Sequence, residues 1–393
     1  MGAQIRSMRR IAAGAVAATM LLAGCGGGLG SEAESVEGPV KIGLLVPQSG
    51  VYKSLGDDMK NAWELYLDQH DGQLGGRDVE TILADEGEEA STGQAAAERL
   101  VNRENVLAVT GVVSSATMNG VSDMFESSQI PLVGSNASPT TLTDVEYIWR
   151  TSYVNDEPGK ALGEYVAGNV DGSVYMLAAD YQAGIDEVEG FKETFDPAGG
   201  EAADEVYTPF PTTTNYQPFL AKVRQSGAKA AFTFYAGGAA VDFVKQFKAF
   251  GLDSQIDLYS AGFLTEGGVL DAQGAAAEGV LTSMNYNHDL DNEINKEFVA
   301  AYEEAYGKKP TTYAMASYDA AKVLDMAIEE AGDDLTSTTL NEAIGGLGDI
   351  ESPRGTWHFN DIGTPVQMWY LREVQKVDGG YANVVIDELG TLG

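Results

Sequence analysis

Val40-Lys41-Ile42-Gly43-Leu44-Leu45-Val46-Pro47-Gln48-Ser49-Gly50 sets the reading of this 393-residue chain. The first seven residues are a short apolar run broken only by Lys41, and Pro47 and Gly50 punctuate its end. Similar strand-like runs recur at Val79–Leu83, Val106–Val112, Ile130–Val133, Ser173–Ala178, Ala230–Tyr235, Ile256–Ser260 and Gly279–Met284. Between them lie amphipathic stretches such as Ser91–Arg103, Thr117–Ser127, Gly184–Phe195, Gln217–Gln225 and Ala239–Phe250. Short apolar strands alternating with helices of this length indicate βαβ units and parallel sheets.

Ligand sites in such sheets lie beyond the C-terminal ends of the strands, where the next helices begin. The segments that follow the strands here are Pro47-Gln48-Ser49-Gly50, Gly111-Val112-Val113-Ser114-Ser115, Gly134-Ser135-Asn136-Ala137-Ser138, Ala179-Asp180-Tyr181-Gln182 and Ala236-Gly237-Gly238. Gly, Ser and Asn at helix starts cap the helix and expose backbone N–H groups, so several converging starts form an anion- or hydroxyl-binding rim. Any one of them taken alone is an ordinary cap.

Farther along, Asn292–Tyr306 and Thr312–Ala331 read as two successive helices, the second with an apolar stripe of Ala316, Ala320, Leu324, Ala327 and Ala331. After Ser352 the texture turns to strands at Thr356–Phe359, Met368–Val374 and Tyr381–Ile386. Such a tail suggests that the chain returns to complete an earlier sheet.

Composition narrows the function. Against 59 Asp and Glu stand 24 Lys and Arg, a formal charge of -35. That excess repels phosphate backbones and argues against nucleic acid as a partner. With 44% hydrophobic and 21% charged residues, neither wholesale disorder nor a polytopic membrane protein fits. The single cysteine, Cys25, and three scattered histidines (His70, His288, His358) make a disulfide or a Cys/His metal cage a poor expectation. No cofactor or metal is expected.

The N-terminus reads as an address. Arg6, Arg9 and Arg10 precede an uncharged run from Ile11 to Ala23, too short for an ordinary membrane span. It ends in Leu22-Ala23-Gly24-Cys25, which resembles the bacterial lipobox. The resemblance implies removal of residues 1–24 and a diacylglyceryl group on Cys25. Two acyl chains suffice for stable anchoring. Cleavage would remove three arginines and no acid, taking the charge from -35 to -38. Residues 25–38, with Gly26-Gly27-Gly28, then form a flexible tether outside the cell membrane.

Enzyme signatures are missing. There is no G-x-S-x-G nucleophile elbow, no phosphate-binding P-loop and no H-E-x-x-H. Asp289-Leu290-Asp291-Asn292-Glu293 starts like a calcium loop, but Ile294 occupies the place of the obligatory Gly. A hydrolase built on a carboxylate pair stays a remote alternative, since an acid-rich sequence always offers candidates.

Together the markers resemble the type I periplasmic solute-binding proteins of ABC importers, in the branched-chain amino-acid (Leu/Ile/Val) branch. They are Ile42–Gly50, Gly56, Ala84-Asp85-Glu86-Gly87, Thr110-Gly111 with Ser114-Ser115-Ala116, and Ile130-Pro131-Leu132-Val133. Further along come Asn215-Tyr216-Gln217-Pro218, Ser317-Tyr318-Asp319-Ala320-Ala321 and Ser352-Pro353-Arg354-Gly355. The resemblance implies an α/β fold of two doubly wound parallel-sheet lobes joined by three crossovers near 150–155, 283–287 and 352–355. It places residues 39–152 plus 285–352 in the first lobe and 153–284 plus 353–393 in the second. It also implies a monomer that closes on a small carboxylate and delivers it to the permease of an ABC importer; a ligand sensor on the same fold is the alternative.

In that family a Ser hydroxyl and backbone amides of the first lobe hold the ligand carboxylate. Ser115 and Ala116, then Asn136 and Ser138, match these positions, with Ser138 in place of the usual Thr. The second lobe departs from the pattern. Where amino-acid binders place an acid for the ammonium group, this chain has Ala261-Gly262-Phe263, leaving Glu266, Asp180 or Asp186 as substitutes. The aromatic expected after the Ala230–Tyr235 strand is replaced by Ala236-Gly237-Gly238. Tyr52, Tyr153, Tyr181, Tyr235 and Phe263 are candidates to line an apolar or aromatic slot. The expected ligand is a branched-chain or other hydrophobic amino acid, with an aromatic or des-amino carboxylate as its rival.

Overall fold

The computed structural model describes residues 38–393. Strands β1 (Val40–Val46), β2 (Gln73–Leu74), β3 (Arg77–Asp85), β4 (Ala108–Gly111), β5 (Leu132–Gly134) and β6 (Ile148–Arg150) form one sheet, in the order β2-β3-β1-β4-β5-β6. β1 is parallel to both of its neighbours, with Val40 opposite Val79 and Ile42 opposite Ala108. It is buried on both faces, which is why its sequence does not alternate. Helices α1 (Lys53–Gln69), α2 (Ala90–Arg99) and α3 (Ser115–Ser128) follow β1, β3 and β4. Gly56 lets α1 lie directly on the exit of β1, since a Cβ there would come 1.9 Å from the Pro47 carbonyl oxygen.

The second sheet is built from β7 (Ser173–Asp180), β8 (Glu201–Pro209), β9 (Ala230–Phe234), β10 (Asp257–Ala261), β11 (Leu281–Met284), β12 (Ile350–Ser352), β13 (Gly355–Phe359), β14 (Pro365–Val377) and β15 (Gly380–Leu392). Its order is β12-β13-β14-β11-β10-β9-β7-β8, with β15 paired to β14. The strands from β8 through β11 run parallel, and β14 closes antiparallel onto β11 with Ser283 opposite Leu371. The tail thus completes an earlier sheet. Helices α4 (Glu157–Asn169), α5 (Gln182–Phe195), α6 (Gln217–Ser226), α7 (Gly237–Ala249) and α8 (Gly268–Gln273) accompany this lobe.

Before that tail the chain crosses back. α9 (Glu293–Tyr306) and α10 (Thr312–Ala331) pack on α1, and α11 (Ser337–Gly345) packs on α10. Side-chain caps fix all three starts: Asn292 accepts from the Asn295 amide, Thr311 from Ala314, and Thr336 from Thr339 within a capping box. Two α/β lobes result, each with a parallel-strand sheet. Four strands escaped the sequence reading: the short β2, β6 and β12, and β8, an edge strand with a polar, largely exposed face that pairing with β7 rather than its own pattern makes a strand.

Segments distant in the chain meet at the Ser152 carbonyl. It accepts from Asn285 Nδ2 (2.7 Å), Gln367 Nε2 (2.7 Å) and Arg354 Nη1 (3.2 Å).

Candidate functional site

In both sheets the strand order reverses, between β1 and β4 in the first and between β7 and β9 in the second. Loops leaving the strands part at such a switch point and open a crevice. A small cavity lies where these exits meet. Tyr52 and Leu55 come from the exit of β1, Val113 and Ser115 from β4, and Asn136 from β5. Tyr181, Ala183 and Glu187 follow β7, Phe234 and Ala236 come from the end of β9, and Phe263 follows β10. Tyr153 and Asn155 from the first crossover and Tyr313 from the start of α10 complete the lining.

The polar part of the wall is held from behind. Ser115 is buried at the start of α3, and its Oγ accepts from Asn155 Nδ2 at 2.9 Å. Its own O–H meets no acceptor among the described residues. Asn155 Nδ2 also reaches Asp186 Oδ2 (3.0 Å), and Asn155 Oδ1 accepts from the Ser138 amide (3.2 Å). Asn136 donates to the Val113 carbonyl (3.0 Å) and accepts from the Tyr153 hydroxyl (3.2 Å). Glu86 ties down the loop before α3, accepting the Val113 and Ser114 amides at 2.7 and 2.8 Å. Burial pushes its carboxyl up to about 7, and the two amides oppose that rise.

Six aromatic rings enclose the rest: Tyr52, Tyr153, Tyr181, Phe234, Phe263 and Tyr313. Phe263 is central, with ring centroids at 5.1 Å from Tyr153, 5.9 Å from Phe234 and 6.1 Å from Tyr313. The Tyr313 hydroxyl is buried without a hydrogen-bond partner. No Lys or Arg lines the cavity, and its one acidic residue is Glu187, only 1% exposed. Neither Glu187 oxygen finds a well-formed hydrogen bond, although the Gly159 amide lies near enough to compensate in part. Burial first, then the nearby Asp156, holds this carboxyl well above the usual carboxylate range.

Of the nine ligand-site residues expected from sequence, the structure brings Ser115, Asn136, Tyr52, Tyr153, Tyr181 and Phe263 together on this cavity. The other three lie elsewhere. Ala116 is exposed on the first turn of α3. Ser138 sits one hydrogen bond behind Ser115, through Asn155, and borders a separate cavity with Arg150 and Thr364. Tyr235 belongs to the opposite face of β9, packed on Tyr216 and Phe243 with its hydroxyl 3.2 Å from Thr208. Strand alternation is the reason: Phe234 takes the cavity side, so the residue after it faces away. Phe234 also supplies the ring that Ala236 does not.

The three acids considered as ammonium partners are engaged or outside. Glu266 pairs with Arg372 at 2.9 Å and accepts the Thr312 amide. Asp186 accepts from Thr140, Asn155 and Gln182. Asp180 is exposed at the end of β7. Sequence reasoning passed over Glu187, Asn155, Phe234 and Tyr313. Glu187 had a signal: at helical spacing it interrupts the buried stripe Ala183, Phe191 and Phe195 on α5.

Cys25 and the whole N-terminal address lie outside the described residues. Among the described residues no group of three or more His, Cys, Asp or Glu could hold a metal ion, and no helix is long and apolar enough to cross a membrane.

Residues 39–380 match the profile of a family described as periplasmic binding protein. The chain is 28% identical to Leu/Ile/Val-binding protein homolog 6 of Brucella melitensis, over 87% of this chain and 89% of that one. Among solved structures it resembles an ABC-transporter solute-binding protein of Rhodopseudomonas palustris in complex with benzoate. There the identity is 30% and the TM-score 0.84, covering 90% of this chain and 97% of that one. A second, from strain BisB5 in complex with 3,4-dihydroxybenzoic acid, gives 30% identity and a TM-score of 0.86 over 91% and 99%. These relatives are transporter solute-binding proteins rather than enzymes.

Proposed function

The chain belongs to the periplasmic binding protein family, and from that membership we propose that this solute-binding protein of an ABC transporter captures an aromatic carboxylate that lacks an α-ammonium group. One observation carries the reading: the cavity wall has six aromatic rings, no Lys or Arg and a single acid, Glu187, whose burial disfavours the charged form. An ammonium group enclosed there would be a buried charge without a partner, which costs several kcal/mol. A flat ring between such walls gains apolar burial and edge-to-face contacts. The ligand carboxylate is assigned to the Ser115 hydroxyl at the start of α3, helped by the unpartnered Tyr313 hydroxyl. Neutral donors and a helix start suit an anion without an arginine. Benzoate and 3,4-dihydroxybenzoate in the neighbours' sites support the same chemistry.

A branched-chain amino acid is the second reading, favoured by the Leu/Ile/Val-binding relative and by Glu187, which would have to ionise to pair with the ammonium. Thermal unfolding separates the two. A ligand at 100 times its dissociation constant stabilises the folded state by about 2.7 kcal/mol. Benzoates are expected to give that shift and leucine, isoleucine and valine none; the reverse pattern would overturn the aromatic reading.

Binding closes the two lobes, a population shift driven by contacts to both. We take the lobes as 39–152 plus 285–352 and 153–284 plus 353–393, and the protein as a monomer that hands its ligand to the permease. A diacylglyceryl group on Cys25 anchors it to the outer face of the cell membrane. Replacing Cys25 by Ala and following loss of membrane association tests that anchor.

A further inference from the structure

Ser115 and Tyr313 offer a ligand hydroxyl groups, whereas Glu187 offers something different. Its buried carboxyl reaches the cavity from α5 on the second lobe with both oxygens short of hydrogen-bond partners, and in the protonated form that burial favours it carries one O–H donor and one acceptor oxygen. A carboxylate suits it poorly, because the acceptor oxygen faces like charge. A plain aromatic C–H edge suits it poorly too, since both oxygens stay without a good hydrogen bond, as they are without a ligand. A hydroxyl group donates and accepts at once, and so satisfies both halves of the carboxyl.

We propose that Glu187 reads a hydroxyl group on the ligand ring, so that the preferred ligand is a ring-hydroxylated aromatic carboxylate rather than its unsubstituted parent. This rests on the aromatic-carboxylate reading above and adds the second contact point, on the other lobe from Ser115. One ligand then bridges the two lobes through both polar ends, with the aromatic walls gripping the ring between. Discrimination of this kind is strong because the unsubstituted competitor leaves a buried polar group unpaired.

The test is calorimetric titration of the purified protein, freed of co-purified ligand, with benzoate, 3-hydroxybenzoate and 4-hydroxybenzoate. At least one hydroxybenzoate is expected to bind about tenfold or more tightly than benzoate. Glu187→Gln keeps a donor and an acceptor and should keep the preference. Glu187→Met has neither and should bring the ratio of dissociation constants close to one. Equal wild-type affinities for all three ligands overturn the proposal. So does a Glu187→Met variant that weakens all three alike with the wild-type ratio preserved, since Glu187 would then meet the carboxylate end. If Glu187→Met fails to fold, the wild-type ratio and Glu187→Gln decide. Binding of leucine with no response to any benzoate sinks the aromatic reading itself, an outcome distinct from equal benzoate affinities.

Discussion

Arg354 and Asp319 form an ion pair at 2.6 Å with neither side chain more than 1% exposed. Arg354 lies in the turn between β12 and β13, and Asp319 on α10. The same guanidinium reaches the carbonyls of Thr151 and Ser152, just after β6, and stacks over Trp357. One side chain thus ties the β12–β13 turn to α10 and to the segment after β6. Desolvation pushes the Asp319 carboxyl up and the Arg354 guanidinium down, and each partner counters the other's shift.

Breaking that pair should therefore be costly. Arg354→Met leaves the Asp319 carboxylate buried and alone, with an expected loss of about 3–5 kcal/mol. Chemical denaturation would read it as a lower midpoint. Arg354→Met combined with Asp319→Leu should recover part of the loss, because no orphan charge remains.

Ser115→Ala removes the hydroxyl assigned to the ligand carboxylate and frees Asn155 Nδ2 from one acceptor. Affinity for an aromatic carboxylate is expected to fall by about 1–3 kcal/mol, the cost of an unmade hydrogen bond to a charged group. Titration calorimetry measures it. An unchanged dissociation constant would remove Ser115 from the site.

Gly237 has φ +56, and a Cβ there would come 2.5 Å from the Val51 carbonyl oxygen on the other lobe. Gly237→Ala places a methyl group at this contact and adds roughly 1–2 kcal/mol of left-handed strain. Weaker ligand binding follows, because the closed form bears the clash. Small-angle scattering with saturating ligand should show a larger radius of gyration than for the unaltered protein.

The buried acids set an unusual pH dependence. Burial raises Glu86 to about 7 and Glu157 to about 8. A carboxyl whose pKa is higher folded than unfolded contributes stability that is complete below its unfolded value, near 4.5. That contribution is lost as pH rises through the folded value. The protein should thus gain on the order of a few kcal/mol between pH 8 and pH 5. Thermal melts across that range check the sign, and Glu157→Gln should flatten the slope.

The alternation of apolar runs and helices was enough to state βαβ units, parallel sheets and a tail returning to an earlier sheet, because strand and helix periods are local properties of the chain; the division into two lobes came from the family resemblance. Ser115, Asn136, Tyr52, Tyr181 and Phe263 were legible for a related reason: each follows a strand end, and the ends of parallel strands gather at the switch points. Facing and partnership were not legible. Tyr235 and Phe234 are neighbours in sequence, and only strand pairing decides which of them meets the cavity. Glu266, Asp186 and Glu187 are equivalent as letters. The structure engages the first two with Arg372 and with Thr140 and Asn155, and leaves the third buried with its oxygens poorly satisfied. Local pattern thus determined the architecture and the rim of the site. Whether a carboxyl there is charged depends on burial and on partners distant in the chain, and only the tertiary structure decides that.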